Sequence, residues 1–417
     1  MSVKHVGKLG IGIASVLLIS RWMSANAMFT ASEATIKYGI LASQLFAIMG
    51  ALAFAVFGLI GIRARQQKKD ATSILEIFNQ KLDMKTRRYL YLLFGIGYGL
   101  DFLLLALGAS IIFYATVGLH PSIGVLLFIA FGLPLFFFRT YKNYGKYIFY
   151  KIGLFQAVII VIIVYLFLSS NLEEMYFRMR LFHPYLFTIH EEEVLLFTIA
   201  VFIIFLGKLV TDFGSWNILF QIKERKIRQS FFLSGLFWGT IPLCFTIIIF
   251  PVLYKGGFQS IYTIYYDLLY SFQSDIMLIL TASTILMTLV TTYYTRLHEF
   301  LRLFENIAFK KRTNLAPFIT VLAILFLYGV FYVFQPELLE LFFFAGVLNS
   351  SLLVPILFSI FTKRHAFDRM LFITISSSLL AGYLAYSFVS VEMSILIPCG
   401  LSLIILGASQ RFNKKRF

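Results

Sequence analysis

Charge is scarce in this chain. Asp, Glu, Lys and Arg make up 13% of 417 residues, against roughly a quarter in an ordinary soluble domain. Polar sequence is scarce too. The longest polar stretch, Arg63 to Lys85, is too short to build a domain of its own. Together these shortages exclude a soluble globular protein. Cysteine is nearly absent. Cys244 and Cys399 both lie in apolar runs, which leaves no disulfide framework. There is no CxxC, HExxH or Walker sequence, so redox, zinc-protease and ATP-driven functions have no motif to stand on. The six histidines are scattered near the ends of apolar runs, with no His or acidic cluster for an integral-membrane enzyme. The sequence therefore points to no enzyme and no organic cofactor.

What remains is apolar. The chain is 59% hydrophobic, with a mean hydropathy of +0.85. Runs of about 20 apolar residues, each long enough to cross the hydrocarbon of a bilayer, recur from end to end. They predict an all-α polytopic membrane protein with twelve spans: 8–30, 38–62, 88–117, 121–138, 147–169, 193–221, 230–254, 274–301, 314–334, 338–361, 370–390 and 392–410. The first run, with Lys4, Lys8 and Ala25-Asn26-Ala27, imitates a cleavable signal peptide. Arg21 and Trp22 interrupt that pattern, and the run reads better as a span.

Acids are the scarcer sign, 20 against 36 bases, for a net charge of +16. The distribution of the bases speaks against nucleic acid. With the N-terminus inside, 30 of the 36 fall in segments that the alternation makes cytoplasmic. Lys151 and Arg296 are counted among them. The partner implied is the lipid bilayer, with both termini cytoplasmic in a bacterial-type cell membrane. Outside, Lys255 to Asp275 carries Tyr262, Tyr265, Tyr266 and Tyr270. It reads as an interfacial helix or lid, or as an aromatic belt.

Charges left inside the spans are costly and mark function. Arg21, Asp101, Lys208 and Asp212 are the candidates, with Trp216 just beyond Asp212. Asp101 follows the glycine-rich Gly95-x-Gly97-x-Gly99; it serves a proton or a solute amine, or pairs with Arg21 or Lys208. Lys208 and Asp212 are four residues apart, so a continuous helix would pair them. The run breaks around Gly214, and a break falling between Lys208 and Asp212 would separate them and free them for a solute. Asn349 and Ser350 could line a path or serve as glue between helices.

Three stretches carry a resemblance: MSANAMFTASEATIKYG (Met23 to Gly39), SILEIFNQKLDMKTRRYLYLLFGIGYG, and FGSWNILFQIKERKIRQSFFLSGLFW. In order and spacing they resemble the sodium:solute symporter family. In the third, Trp216, Lys223, Lys226 and Arg228 fit, while Asn217 and Ile218 replace the usual Gln and Arg. The resemblance implies a leucine-transporter-type fold, with two inverted five-helix repeats at 1–170 and 171–361. Two further helices and a basic tail occupy 362–417. It places breaks near Arg21–Asn26 and Val210–Ser215. It also implies a sodium site, with carbonyls from Ser20 and Met23 and hydroxyls from Ser283 and Thr284. Trp22 and Gly153 stand where well-studied members carry acids. That leaves two alternatives open. Arg21 stands in for the cation, with coupling to protons or to nothing, or sodium binds through neutral oxygens alone. The implied function is secondary transport of a small polar solute. A non-transporting sensor or scaffold on the same fold, or a lipid-linked sugar flippase, is the alternative.

Overall fold

The computed structural model describes residues 9–67, 73–132, 144–169, 171–188, 191–253, 260–272, 274–308, 325–326, 328–329, 332–362 and 368–414. Among them the molecule is helical throughout, apart from a single parallel bridge between Leu9 and Ile222. Among the described residues, nine helices are long and apolar enough to cross a membrane, and a bent pair adds a tenth. Of the twelve expected spans, 121–138 is represented by a short helix at Pro121–Gly132. Most of 314–334 lies outside the described residues.

The bent pair comes first. Helix α1 (Ile11–Trp22) stops at Met23, whose ψ of 88° leaves the helical region. The chain turns through 76°, makes a π-helical turn at Asn26–Thr30, and continues as α2 (Ala31–Tyr38). No Gly or Pro lies at the break, so partners must hold it. Gly39, at φ +86°, then ends α2 in a conformation open to glycine and few others.

α3 (Ile40–Gln67) is followed by the short α4 (Ile74–Lys81) and by α5 (Met84–Val117), a 34-residue span. Asp83 caps α5 by accepting from Thr86 N–H at 2.8 Å. Then come α6 (Pro121–Gly132), α7 (Tyr144–Ser169) and the short α8 (Leu172–Phe182).

The second break separates α9 (Glu191–Thr211) from α10 (Phe213–Gln221). Asp212 between them has extended backbone and caps α10, accepting from Ser215 N–H at 3.0 Å. After α11 (Ile227–Ile248) and the single turn α12 (Phe250–Leu253) comes α13 (Ile261–Tyr270), which falls in the tyrosine-rich segment. It buries Ile261, Ile264, Tyr265, Leu268 and Leu269 on one face. Tyr265 hydrogen-bonds Ser32 of α2, and Tyr262 bonds Ser110 of α5. α13 therefore lies across the bent pair rather than beside the headgroups alone. α14 (Asp275–Ala308), α15 (Leu338–Phe361), α16 (Asp368–Phe388) and α17 (Met393–Lys414) complete the described chain.

α3 packs along α11 and α9, and their aromatic rings interlock between the breaks. Phe57 meets Trp216 and Phe231, and Phe205 meets Trp238.

Candidate functional site

The two breaks meet. Trp22, the last residue of α1, donates through its indole N–H to Ser215 Oγ on α10 at 3.1 Å. Its carbonyl, freed by the break, accepts from the Trp238 indole at 2.9 Å. The Trp216 indole donates to Val210 O, a carbonyl freed by the second break, at 2.8 Å. These bonds satisfy polar backbone that lipid could not.

Six ionised side chains gather at this junction. Arg21 is 6% exposed and is held by two carboxylates. Its Nε donates to Asp212 Oδ2 at 2.6 Å, and Nη2 reaches the other oxygen of the same group. Glu299 of α14 takes Nη1 and Nη2. This doubly bidentate grip uses the planar fork that sets Arg apart from Lys. Arg296, also on α14, pairs with Asp212 and lies 3.8 Å from Asp101. Lys208 donates to Asp101 Oδ2 at 2.7 Å. The cluster holds three cations and three anions. Tyr98 adds a hydroxyl on Glu299 at 3.1 Å. Asp212 sits at the positive end of α10 and Arg21 in the last turn of α1, so both helix dipoles favour the pair.

Against the cluster lies a small cavity, with about 40 Å³ open to the centre of a water molecule. Ser24 and Asn26 reach it from the first break, and Asp101 and Lys208 from α5 and α9. Arg296 and Asn349 close its other sides. Two indoles, Trp22 and Trp238, form an apolar wall. Asn349 is itself fixed by Thr211, which donates to its Oδ1 at 3.0 Å.

The sequence candidates separate here. Asp101 and Lys208 line the cavity as a pair. Lys208 and Asp212 do not pair with each other, because the helix breaks just after Thr211 and Asp212 turns to the two arginines. Arg21 and Asp212 belong to the cluster beside the cavity. Trp216 is fully buried behind the second break and does not line the cavity. Ser283 bonds the carbonyl of Ile279 on its own helix at 2.6 Å, on an exposed surface. Thr284 lines a separate apolar cavity with Phe155 and Tyr265. Neither comes to Ser20 or Met23. The hydroxyl that does is Thr292, which donates to Met23 O at 2.7 Å.

Four residues of the site were passed over in the sequence. Thr292, Arg296 and Glu299 stand at i, i+4 and i+7 on α14, the spacing of one helix face. That signal was present. Arg296 and Lys151 had been read as loop cations, and both are buried, at 5% and 3% exposure. Each sits inside a helix with its charged end turned to the junction. Glu33 and Lys37, four residues apart on α2, take separate partners: Glu33 is buried and accepts from Leu339 N–H, and Lys37 pairs with Glu337.

No protein-family model and no curated protein matches the sequence. Solved structures do match. A sodium-coupled sialic acid symporter, substrate-bound and outward-open, superposes with a TM-score of 0.69 at 14% identity, over 96% of this chain and 89% of the other. The fold is the leucine-transporter type. Mhp1, a nucleobase-cation-symport-1 family transporter closed on bromovinylhydantoin, matches at 0.57 with 12% identity over 100% and 96%. The manganese transporter of Eremococcus coleocola matches at 0.54 with 11% identity over 94% and 92%. Identities this low establish the shared fold and nothing finer.

Proposed function

We propose that this protein is a secondary transporter of a small polar solute, working by alternating access. One observation carries the reading. Two helices break side by side, bonded through Trp22 and Ser215, and a small cavity lined by Ser24, Asn26, Asp101 and Lys208 opens at their junction. Broken helices at the meeting of two repeats are how such folds build a midplane site. In this reading the repeats are 1–170 and 171–361, with both termini cytoplasmic, and the three matching transporters lend the fold its precedent. The solute is small, because the cavity is small. It is polar, because Asp101 and Lys208 offer one handle of each sign beside Asn349 and Ser24. The indoles of Trp22 and Trp238 bound its apolar side. Arg21 and Asp212 hold the two breaks together and do not touch the solute.

A thermal-shift screen of the purified protein against small polar solutes tests this. A ligand that binds only the folded state raises Tm by mass action. The expected result is a saturable shift with at least one solute, lost in Lys208→Met while the variant still unfolds cooperatively. A shift that survives both Lys208→Met and Asp101→Asn would place the solute elsewhere.

A further inference from the structure

The resemblance to sodium symporters implies a sodium ion against the Ser20 and Met23 carbonyls. The residues present do not fit one. A side chain of the protein already holds that seat. Lys151 on α7 donates its ammonium to Ser20 O at 3.0 Å and to Thr292 Oγ1 at 3.0 Å. Thr292 in turn is bonded to Met23 O. The carbonyl end of α1 carries the negative pole of its helix, so a cation there is favoured. The cation present is covalently tethered. The expected hydroxyl donors, Ser283 and Thr284, sit at least eight residues back along α14, about 12 Å along the axis. The acid-bearing positions are Trp22, which bridges the breaks, and Gly153. Among the described residues, Lys151 forms no ion pair with a carboxylate; its partners are neutral oxygens. Arg21, the other candidate for a substitute cation, is consumed by Asp212 and Glu299.

We propose that the Lys151 ammonium is a built-in replacement for the coupling sodium: it fills the oxygen seat between α1, α7 and α14, and sodium neither binds there nor drives the cycle. The proposal rests on the transporter reading, since only there does the seat join a moving half-helix to its scaffold. It adds that this half-helix is held by a residue and not by a gradient.

The three tryptophans, Trp22, Trp216 and Trp238, all lie at the junction, so native fluorescence reports on it without a label. Emission and Tm of the full-length protein would be measured in sodium chloride and in choline chloride at equal ionic strength. The wild type is expected to show no difference. Lys151→Ala empties the seat. In that variant sodium or methylammonium, but not choline, is expected to restore the wild-type emission and to raise Tm saturably by about 2–4 °C. If Lys151→Ala cannot be purified, Lys151→Gln undergoes the same comparison. A saturable sodium response in the wild type would overturn the proposal. So would a folded variant indifferent to every small cation. No solute enters this experiment, so an empty solute screen leaves the proposal standing. Likewise a sodium response in the wild type would sink it and leave transport untouched.

Discussion

Asp212 shows how closely the cluster is balanced. Its two oxygens face Arg21, Arg296, the Ser215 hydroxyl and the Ser215 N–H at once. Removing one partner of a buried ion pair leaves an uncompensated charge, which costs about 3–5 kcal/mol. Asp212→Asn separates charge from capping, because Asn still caps a helix. It is expected to lose stability in that range in detergent unfolding. Ser215→Ala removes one hydrogen bond to the carboxylate and the acceptor of the Trp22 indole, and is expected to lose about 1–3 kcal/mol. Equal, small losses would show that the arginines do not depend on Asp212. At this scale the sequence was partly legible. Arg21, Asp101, Lys208 and Asp212 stood out because they interrupt apolar runs. The Asp101–Lys208 pair was among the alternatives their charges left open, but the Arg21–Asp212 pair, which joins residues 191 apart in the chain, was not legible. Lys151 and Arg296 lie near span ends, where lysines and arginines ordinarily sit in water, so the rule that oriented the chain concealed them.

At the scale of elements, the site depends on how near α10 comes to α1. Gly214 in the first turn of α10 lies against the Arg21 guanidinium. A Cβ there would fall 2.0 Å from Arg21 Cζ and 2.3 Å from Glu299 Oε1. The guanidinium is clamped on two sides and cannot swing away. Gly214→Ala is expected to lower stability by about 1–3 kcal/mol through overpacking and to change tryptophan emission. Gly153→Ala on α7 is the control: no atom lies within 4 Å of its Cβ, so helix propensity alone should leave it neutral or slightly stabilised. Matching behaviour of the two variants would show that α10 does not press on Arg21. The Gly214 break was legible from glycine beside charge in an apolar run. The first break, with no Gly or Pro, was placed only by resemblance. Its cause is the carbonyl partners of Trp22 and Met23, which come from α11 and α14. The junction-facing side of α14 was legible in principle at Thr292, Arg296 and Glu299, but its hydroxyls were sought at Ser283 and Thr284, two turns away.

For the whole molecule, hydropathy was enough to read an all-α polytopic protein, because each span declares itself by length. The leucine-transporter-type architecture needed more than hydropathy. It follows from which spans break and where the breaks meet. The cavity at their junction is small and bordered by the charge cluster through Asp101, Lys208 and Arg296. A transporter must open such a cavity to each face in turn. Ser24 lines it and sits at the first break. The most direct test replaces Cys244 and Cys399 with Ala, introduces Ser24→Cys, and applies a membrane-impermeant maleimide to right-side-out and inside-out vesicles. Alternating access predicts modification from both faces. Modification from one face only, or from neither while the denatured protein labels fully, would contradict it.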